Sequence, residues 1–219
     1  MKKPYPSSGL PGQGIIAVYK PKGPTSHDII DHIRDVTGQK TVGHAGTLDP
    51  LASGVLVVGI GRPATKKLQD IVGQEKEYIA LVRLGMESAT DDEEGEKTEF
   101  TIKEIPSKEI IEKIVWGFIG VQQQTPPPYS AVKINGKPAY KYARQGKTPT
   151  LRPRTIEIKN IEIMEYTWPN LKLRIACGPG TYIRTLARDI GKALGTGAYL
   201  ADLERTRVGL YVLPPEAYD

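Results

Sequence analysis

The stretch GHAGTLDPLASGVLVVGIGRPATK, residues 43–66, joins a loop of small residues to an apolar run. The run VLVVGIG, residues 55–61, predicts a buried strand, and the loop before it holds a single carboxylate, Asp49. Asp-Pro is a common turn opener, so a purely structural turn is one interpretation of this pair. The small neighbours leave room for close approach to the backbone, and a buried strand would support the carboxylate rigidly. Asp49 is therefore also a candidate functional residue.

The segments around this loop mix helices and strands without strict alternation. Helices are expected at residues 24–38, 62–72, 107–120 and 181–195, with Thr25 or Ser26, Ser107 and Thr181 as N-caps. Strands are expected at residues 14–21, 55–61, 76–85, 155–166, 171–178 and 202–213. The pair 155–166 and 171–178 predicts an antiparallel hairpin. These elements predict the α+β class with a central sheet that is mixed or largely antiparallel.

The length and composition are typical of a soluble globular protein. A chain of 219 residues allows one large domain, or one domain with a small appendage. Hydrophobic residues make up 39% and charged residues 25%, and no apolar run approaches the ~20 residues that cross a membrane. Residues 1–13 lack the apolar core of a secretory signal. We therefore expect a flexible N-terminal segment and a cytoplasmic protein without membrane association.

The cysteine and histidine content argues against disulfides and metal. Cys177 is the only cysteine, which excludes an internal disulfide and fits a reducing compartment. His27 and His32 are five residues apart, a spacing that puts them on different faces of a helix. We therefore expect no metal site.

Positive charge is concentrated in one segment. The net charge is +5, and residues 113–156 contain no Asp or Glu. Tyrosines interleave with cations there, a pattern typical of a surface that binds a polyanion with stackable bases; a plain solvated face is the alternative. By contrast, the acidic residues 86–100 predict a solvated loop. The cations assigned to this candidate nucleic-acid surface are Lys133, Lys137, Lys141, Arg144, Arg152 and Arg154.

A glycine pattern suggests a second class of function. Residues 59–64, GIGRPA, match the G-x-G-x-x-A pattern of dinucleotide-binding folds after a strand and at a helix start. The candidate acidic partner, Glu87, lies farther along than the ~20 residues expected, and later segments do not continue a βαβ alternation. A dinucleotide-dependent oxidoreductase is therefore a weak alternative, because a tight strand-to-helix turn explains these glycines.

The residues around Asp49 closely resemble the catalytic motif of the TruB family of bacterial tRNA pseudouridine synthases. The resemblance extends over residues 14–212 and implies the pseudouridine synthase fold. It also implies conversion of the T-loop uridine of tRNA, position 55, to pseudouridine without cofactor or metal. Further motifs follow in the family's order: YKPKGPTSHD (19–28), KEYIALVRLG (76–85), PPPYSAVKINGKPAYKYARQG (126–146), GPGTYIRTLARDIG (178–191) and AYLADLERTRVG (198–209).

The resemblance assigns the catalytic roles. Asp49 is implied as the catalytic carboxylate, acting either as nucleophile at ribose C1′ or as base at C2′. His44 would fill the space that the flipped base leaves. Tyr78 would stack on the flipped uracil and take part in proton transfer at C5. Arg184 would pair with Asp49 and favour its charged form.

The remaining implied residues bind the substrate or support the site. Tyr182 and Leu203 would line the uracil pocket. Lys20, grouped with the substrate-binding residues, would support the active-site loop together with Pro21. The basic segment, about residues 124–154, would be an arm that closes over the T-stem phosphates.

The resemblance also describes the whole protein. Residues 14–219 would form one catalytic domain, without the C-terminal RNA-binding domain of the PUA type that family members usually carry. We expect tRNA as the partner, no required protein partner and a monomer. A non-catalytic tRNA-binding chaperone is the remaining alternative.

Overall fold

The computed structural model describes residues 12–134, 136–143, 145–147 and 150–213. The first eleven residues of the expected N-terminal segment lie outside these ranges. Among the described residues, no helix has the length and apolarity of a membrane span. In chain order the elements are β1 (Gly14–Lys20), α1 (Ser26–Thr37), β2 (Val42–His44), β3 (Ser53–Ile60), α2 (Arg62–Val72), β4 (Lys76–Leu84), β5 (Met86–Ser88), β6 (Lys97–Glu99), α3 (Lys108–Trp116), β7 (Gly120–Gln124), β8 (Lys133–Ile134), β9 (Lys137–Pro138), α4 (Ala139–Ala143), β10 (Arg154–Thr167), β11 (Asn170–Cys177), α5 (Ile183–Leu194), β12 (Ala198–Val208) and β13 (Tyr211–Val212).

The chain divides into two compact units. The first comprises Met1–Ile79 and Leu203–Asp219, and the second comprises Ala80–Asp202. Strands β4 and β12 therefore each contribute residues to both units.

Strand β3 is the centre of the first unit. Strand β1 pairs antiparallel along its whole length, from Gly14 opposite Ile60 to Lys20 opposite Gly54. Two further strands share β3: β12 pairs parallel with the first residues of β3, and β2 pairs antiparallel with its last residues. The parallel pairing of β12 beside the antiparallel pairing of β1 and β2 makes the sheet mixed, and the expected α+β class is confirmed.

Burial of β3 on both faces explains its unbroken apolar sequence. On one face Leu56, Val58 and Ile60 pack in a cluster with residues of α1. On the other face Val55 and Val57 pack in a cluster with residues of α2. The expected buried strand is confirmed, and it gives the loop before it a rigid support.

The first two helices begin and end largely where the sequence indicates. Thr25 caps α1 through a reciprocal capping box with Asp28, and Gly38 ends the helix in the left-handed conformation. Gly61 precedes α2 with a φ of 84°, so the glycine pattern marks a tight strand-to-helix turn.

The second unit is built on the expected antiparallel hairpin. Strand β10 lies between β11 and β7 and pairs antiparallel with both. Helix α3, capped by Ser107, packs against α5 and β10. The sequence did not predict β7, because GVQQQ has neither an apolar run nor an alternating pattern.

Two expectations for the second unit are wrong. Residues 86–100 are not simply a solvated loop, because β5 and β6 pair and the carboxylates of Asp91 and Asp92 are buried. Thr181 does not cap α5: the N-cap residue is Tyr182, and no side chain of its own supplies a capping hydrogen bond. The Thr181 hydroxyl donates instead to the carbonyl of Gly178.

Candidate active site

Asp49 lies in the loop between β2 and β3, within the first unit. The amide of Ala52 donates to the Asp49 carbonyl at 3.0 Å and closes a turn around Pro50. The amide of Gly23 donates to the Pro50 carbonyl at 2.8 Å, which joins this turn to the segment before α1. The Asp49 side chain is half-buried, so the backbone is fixed while part of the residue stays accessible.

Ser26 holds the residue directly before Asp49. Its hydroxyl donates to the carbonyl of Leu48 at 2.9 Å and accepts from the amide of Leu48 at 2.8 Å. Ser26 is the first residue of α1 and is almost fully buried. A buried hydroxyl that satisfies both polar groups of one peptide residue keeps that residue from rotating. Helix α1 therefore determines where the chain enters Asp49.

Lys20 holds the residues after Asp49. Its ammonium donates to the carbonyls of Ala52 at 2.6 Å and Pro21 at 2.8 Å, with a longer contact to Pro50 at 3.5 Å. Burial lowers the pKa of this ammonium to about 8, and the neighbouring Asp49 carboxylate opposes the shift. Because Lys20 is fully buried, this arrangement favours loop support over direct contact with a substrate.

Arg205 is a third buried side chain that holds the loop. Its Nε donates to the carbonyl of Val55 at 2.8 Å and its Nη2 to the carbonyl of Gly46 at 3.0 Å. These bonds tie the first part of the loop to the start of β3. Gly54 makes the approach of β12 possible, because a Cβ there would lie 2.2 Å from the Arg205 carbonyl oxygen.

His44 ends β2, opposite Val58 of β3. Burial lowers the pKa of its imidazole, and the positive charges of Arg205 and His27 add to this shift. The shift favours the neutral form of the ring, which suits contact with a base better than contact with a phosphate. It lies at an open groove whose rim includes Arg34 and Lys40.

Tyr78 and Leu203 also belong to the first unit and are buried. Glu204 pairs with Ser53, so Leu203 lies beside the end of the Asp49 loop. The Thr206 hydroxyl donates to the Glu77 carboxylate at 2.7 Å, which places Tyr78 on the strand next to β12. The first unit thus carries five of the predicted site residues: Lys20, His44, Asp49, Tyr78 and Leu203.

Arg184 lies in the first turn of α5, in the second unit, and is 6% exposed. Its guanidinium donates to the Asp92 carboxylate at 3.0 Å, to the Tyr129 carbonyl at 2.8 Å and to the Thr90 carbonyl at 3.3 Å. The acidic stretch therefore supplies a buried partner that the sequence did not reveal. Pairing of Arg184 with Asp49 stays a prediction.

Tyr182 is held by Gln124. The amide of Tyr182 donates to Gln124 Oε1 at 2.8 Å, and Gln124 Nε2 donates to the Tyr182 carbonyl at 3.0 Å. Gln124 is the last residue of β7 and is 3% exposed. The segment that begins at Gln124 and reaches Tyr129 therefore contacts both Tyr182 and Arg184.

The basic segment presents its described cations to solvent. Strands β8 and β9 pair with each other and lead into α4. Arg144 lies outside the described residues. Of the cations predicted to bind RNA, those with exposed side chains are Lys133, Lys137, Lys141, Arg152 and Arg154.

Comparison with known proteins decides the family. Residues 34–183 match the model of the TruB family pseudouridylate synthase N-terminal domain, and residues 184–218 match the tRNA pseudouridylate synthase B C-terminal domain. The chain belongs to the TruB family. It is 47% identical over 205 residues to a tRNA pseudouridine synthase B of Desulfotalea psychrophila, covering 90% of this chain and 82% of that protein. A tRNA pseudouridine synthase B of Parabacteroides distasonis is 45% identical over 201 residues, covering 89% and 85%.

Solved structures resemble this TruB-family chain over most of its length. A chain in a crystal structure of a Cbf5-Nop10-Gar1 complex superposes with a TM-score of 0.71 at 33% identity, covering 92% of this chain. A chain in an H/ACA RNP bound to a substrate RNA containing 2′-deoxyuridine gives a TM-score of 0.69 at 30% identity, covering 93%. This chain spans half the length of each of these two.

The TruB motifs contain residues that support the Asp49 loop and to which the sequence assigned no role in the site. Ser26 lies in YKPKGPTSHD and Arg205 in AYLADLERTRVG. Both were hidden because serine and arginine are mostly exposed, and their burial follows from partners that are distant in sequence. Gln124 and Asp92 lie outside the quoted motifs. The sequence around each of them is polar and gives no sign that either side chain is buried.

Proposed function

We propose that this TruB-family chain converts the T-loop uridine of tRNA, position 55, to pseudouridine, with Asp49 as its catalytic carboxylate. The observation that carries the proposal is the support of the Asp49 loop. Three buried side chains, Ser26, Lys20 and Arg205, hold main-chain atoms on both sides of this one carboxylate. Catalysis depends on such prior fixing of a reacting group, because little ordering is then left for the transition state.

The proposed reaction is an isomerisation that needs no oxidant or reductant. The bond between ribose C1′ and uracil N1 breaks, the uracil turns, and a new bond forms between C1′ and C5. C5 loses its proton and N1 gains one, so atoms and electrons balance. Asp49 acts as nucleophile at C1′ or as base at C2′.

The other residues follow from this chemistry. Because the target base is stacked in a folded loop, it must leave the stack, and the neutral His44 ring would fill the gap. Tyr78 and Leu203, both buried in the first unit, would contact the flipped uracil. Arg184 and Tyr182 keep the roles that the sequence resemblance implies for them.

The proposed domain arrangement keeps residues 14–219 as the catalytic domain, with residues 124–154 as an arm on the RNA. Exposure of the described lysines and arginines in this arm supports contact with phosphates, because exposed cations can release condensed counterions from RNA.

The decisive test is conversion of an unmodified tRNA transcript without added metal or cofactor. We expect pseudouridine at position 55, mapped by chemical labelling and primer extension. A transcript with cytidine at position 55 is the matched control and should remain unlabelled there. Conversion of a different uridine with position 55 untouched would show that the assigned target is wrong.

The arm predicts a dependence of tRNA binding on salt. Replacing Lys137 or Lys141 by Ala should weaken binding and make the slope of log K against log salt shallower by roughly 0.7 to 0.9 for each phosphate that the protein no longer neutralises. Filter binding at several salt concentrations measures this slope. Lys108→Ala removes an exposed lysine of α3 paired with Glu112 and serves as the control. Equal slopes for all three variants would show that the arm does not contact the phosphates of the RNA.

A further inference from the structure

Helix α5 begins without a capping side chain of its own. Its N-cap residue is Tyr182, which makes no side-chain capping hydrogen bond. Tyrosine does not belong to the residue types that favour this position, which are Ser, Thr, Asp, Asn and Gly. The start of α5 therefore depends on support from elsewhere in the chain. This start matters because Arg184 lies in the first turn.

Gln124 supplies that support. Its carboxamide bonds both the amide and the carbonyl of Tyr182, at 2.8 and 3.0 Å, across 58 positions of sequence. Only a side chain with a donor and an acceptor side by side can satisfy both groups at once. At 3% exposure, water has little access to these bonds.

The neighbouring glutamines have other partners. Gln122 Nε2 donates to the Phe118 carbonyl at 2.7 Å, and Gln123 Nε2 donates to the Thr155 hydroxyl at 2.9 Å. Gln123 is exposed and its bond lies on the strand pair of β7 and β10. Three consecutive glutamines thus differ in what they hold, and Gln124 is the one bonded to α5.

We propose that Gln124 is a positioning residue that fixes the first turn of α5 and thereby orients Tyr182 and Arg184 for pseudouridine formation. The inference rests on the proposed function, which gives those two residues their roles. The same segment also supplies the Tyr129 carbonyl that accepts from Arg184 at 2.8 Å. A shift of the main chain at Gln124 would therefore disturb two contacts, that of Gln124 with Tyr182 and that of the Tyr129 carbonyl with Arg184.

The first test removes the two hydrogen bonds while keeping side-chain length. Gln124→Met should lower kcat on tRNA by about 10-fold or more, because small displacements of a reacting group cost that much. KM should change less than about 2-fold, because the phosphate contacts of the arm are untouched. Gln123→Met, one residue away, is the control and should leave both constants within about 2-fold of wild type.

A second variant gives a pH signature that a purely structural role would lack. In Gln124→Glu, a protonated carboxyl accepts from the Tyr182 amide and donates to the Tyr182 carbonyl, as the carboxamide does. Burial and the facing carbonyl oxygen raise the pKa of this carboxyl, since both disfavour its charge. Relative to wild type, kcat should be near normal at low pH and fall as pH rises through that pKa. Gln123→Glu should keep a constant ratio to wild type.

Hydrogen exchange of the Tyr182 amide tests the support itself, independently of any RNA chemistry. Gln124→Met should speed this exchange, whereas Gln123→Met should not. If the wild type fails to modify tRNA but exchange follows this pattern, the proposed function fails and the support of α5 stands. Unchanged exchange and kcat in Gln124→Met, or a Gln124→Glu ratio that does not vary with pH, would overturn the proposal.

Discussion

Replacing Asp49 by Asn is expected to abolish pseudouridine formation while leaving tRNA binding within about 2-fold of wild type. The amide can neither attack C1′ nor accept a proton from C2′, so the rate constant should fall by roughly 10³-fold or more. Single-turnover conversion of a tRNA transcript measures the rate, and filter binding measures the affinity. The loop should keep its geometry, because the hydrogen bonds that Ser26, Lys20 and Arg205 donate to its main-chain carbonyls stay in place.

Asp35→Asn is the matched control for this prediction. Asp35 is exposed on α1 in the same unit, so its replacement changes net charge equally without touching the loop. If Asp49→Asn retained full conversion, the assignment of the catalytic carboxylate would be wrong. If it lost conversion but kept all cellular function, the chaperone alternative would be favoured. Deuterium at C2′ of the target uridine separates the two roles of Asp49, because only proton removal from C2′ gives a primary isotope effect.

Replacing Gly54 by Ala should cause the largest loss of stability among single changes near the site. Gly54 has a φ of +106°, and a Cβ there would lie 2.2 Å from the Arg205 carbonyl oxygen. An L-residue in this backbone region costs about 1–2 kcal/mol, and overpacking against fixed backbone adds about 1–3 kcal/mol. We expect the free energy of unfolding to fall by about 2–5 kcal/mol in total, measured by urea denaturation.

Gly23→Ala separates the two causes. Gly23 has nearly the same φ, +104°, but nothing lies within 4 Å of a Cβ built there. The free energy of unfolding of Gly23→Ala should therefore fall only by the cost of the backbone conformation, about 1–2 kcal/mol. Equal losses in the two variants would mean that the close approach of β12 to β3 contributes nothing. The comparison measures how tightly Arg205 is held against the start of β3.

Local patterns in the sequence predicted the parts of the fold that follow local physics. The run VLVVGIG predicted β3 because a strand buried on both faces needs apolar residues throughout. Thr25 and Gly38 marked the ends of α1 because capping is a local interaction. Asp49 was singled out in the same way, as the one acid in a loop of small residues.

Buried charges could not be predicted in this way. Lys20, Arg205 and Asp92 are almost fully buried, although these residue types are mostly exposed. Each is stable inside only because a distant carbonyl or ion partner meets it, and such a partner becomes visible only in the folded chain. The same reason hid Gln124, whose two bonds join residues 58 positions apart.

The hydrogen bonds by which Ser26, Lys20 and Arg205 hold the Asp49 loop go to peptide carbonyls and amides. They therefore recognise the path of the main chain and not the identity of the loop's side chains. A different residue at position 49 would leave these main-chain hydrogen bonds in place. Other reactive side chains could therefore be tested at position 49 without removing these hydrogen bonds. This makes the first unit a starting scaffold for designing new activities on a flipped nucleotide.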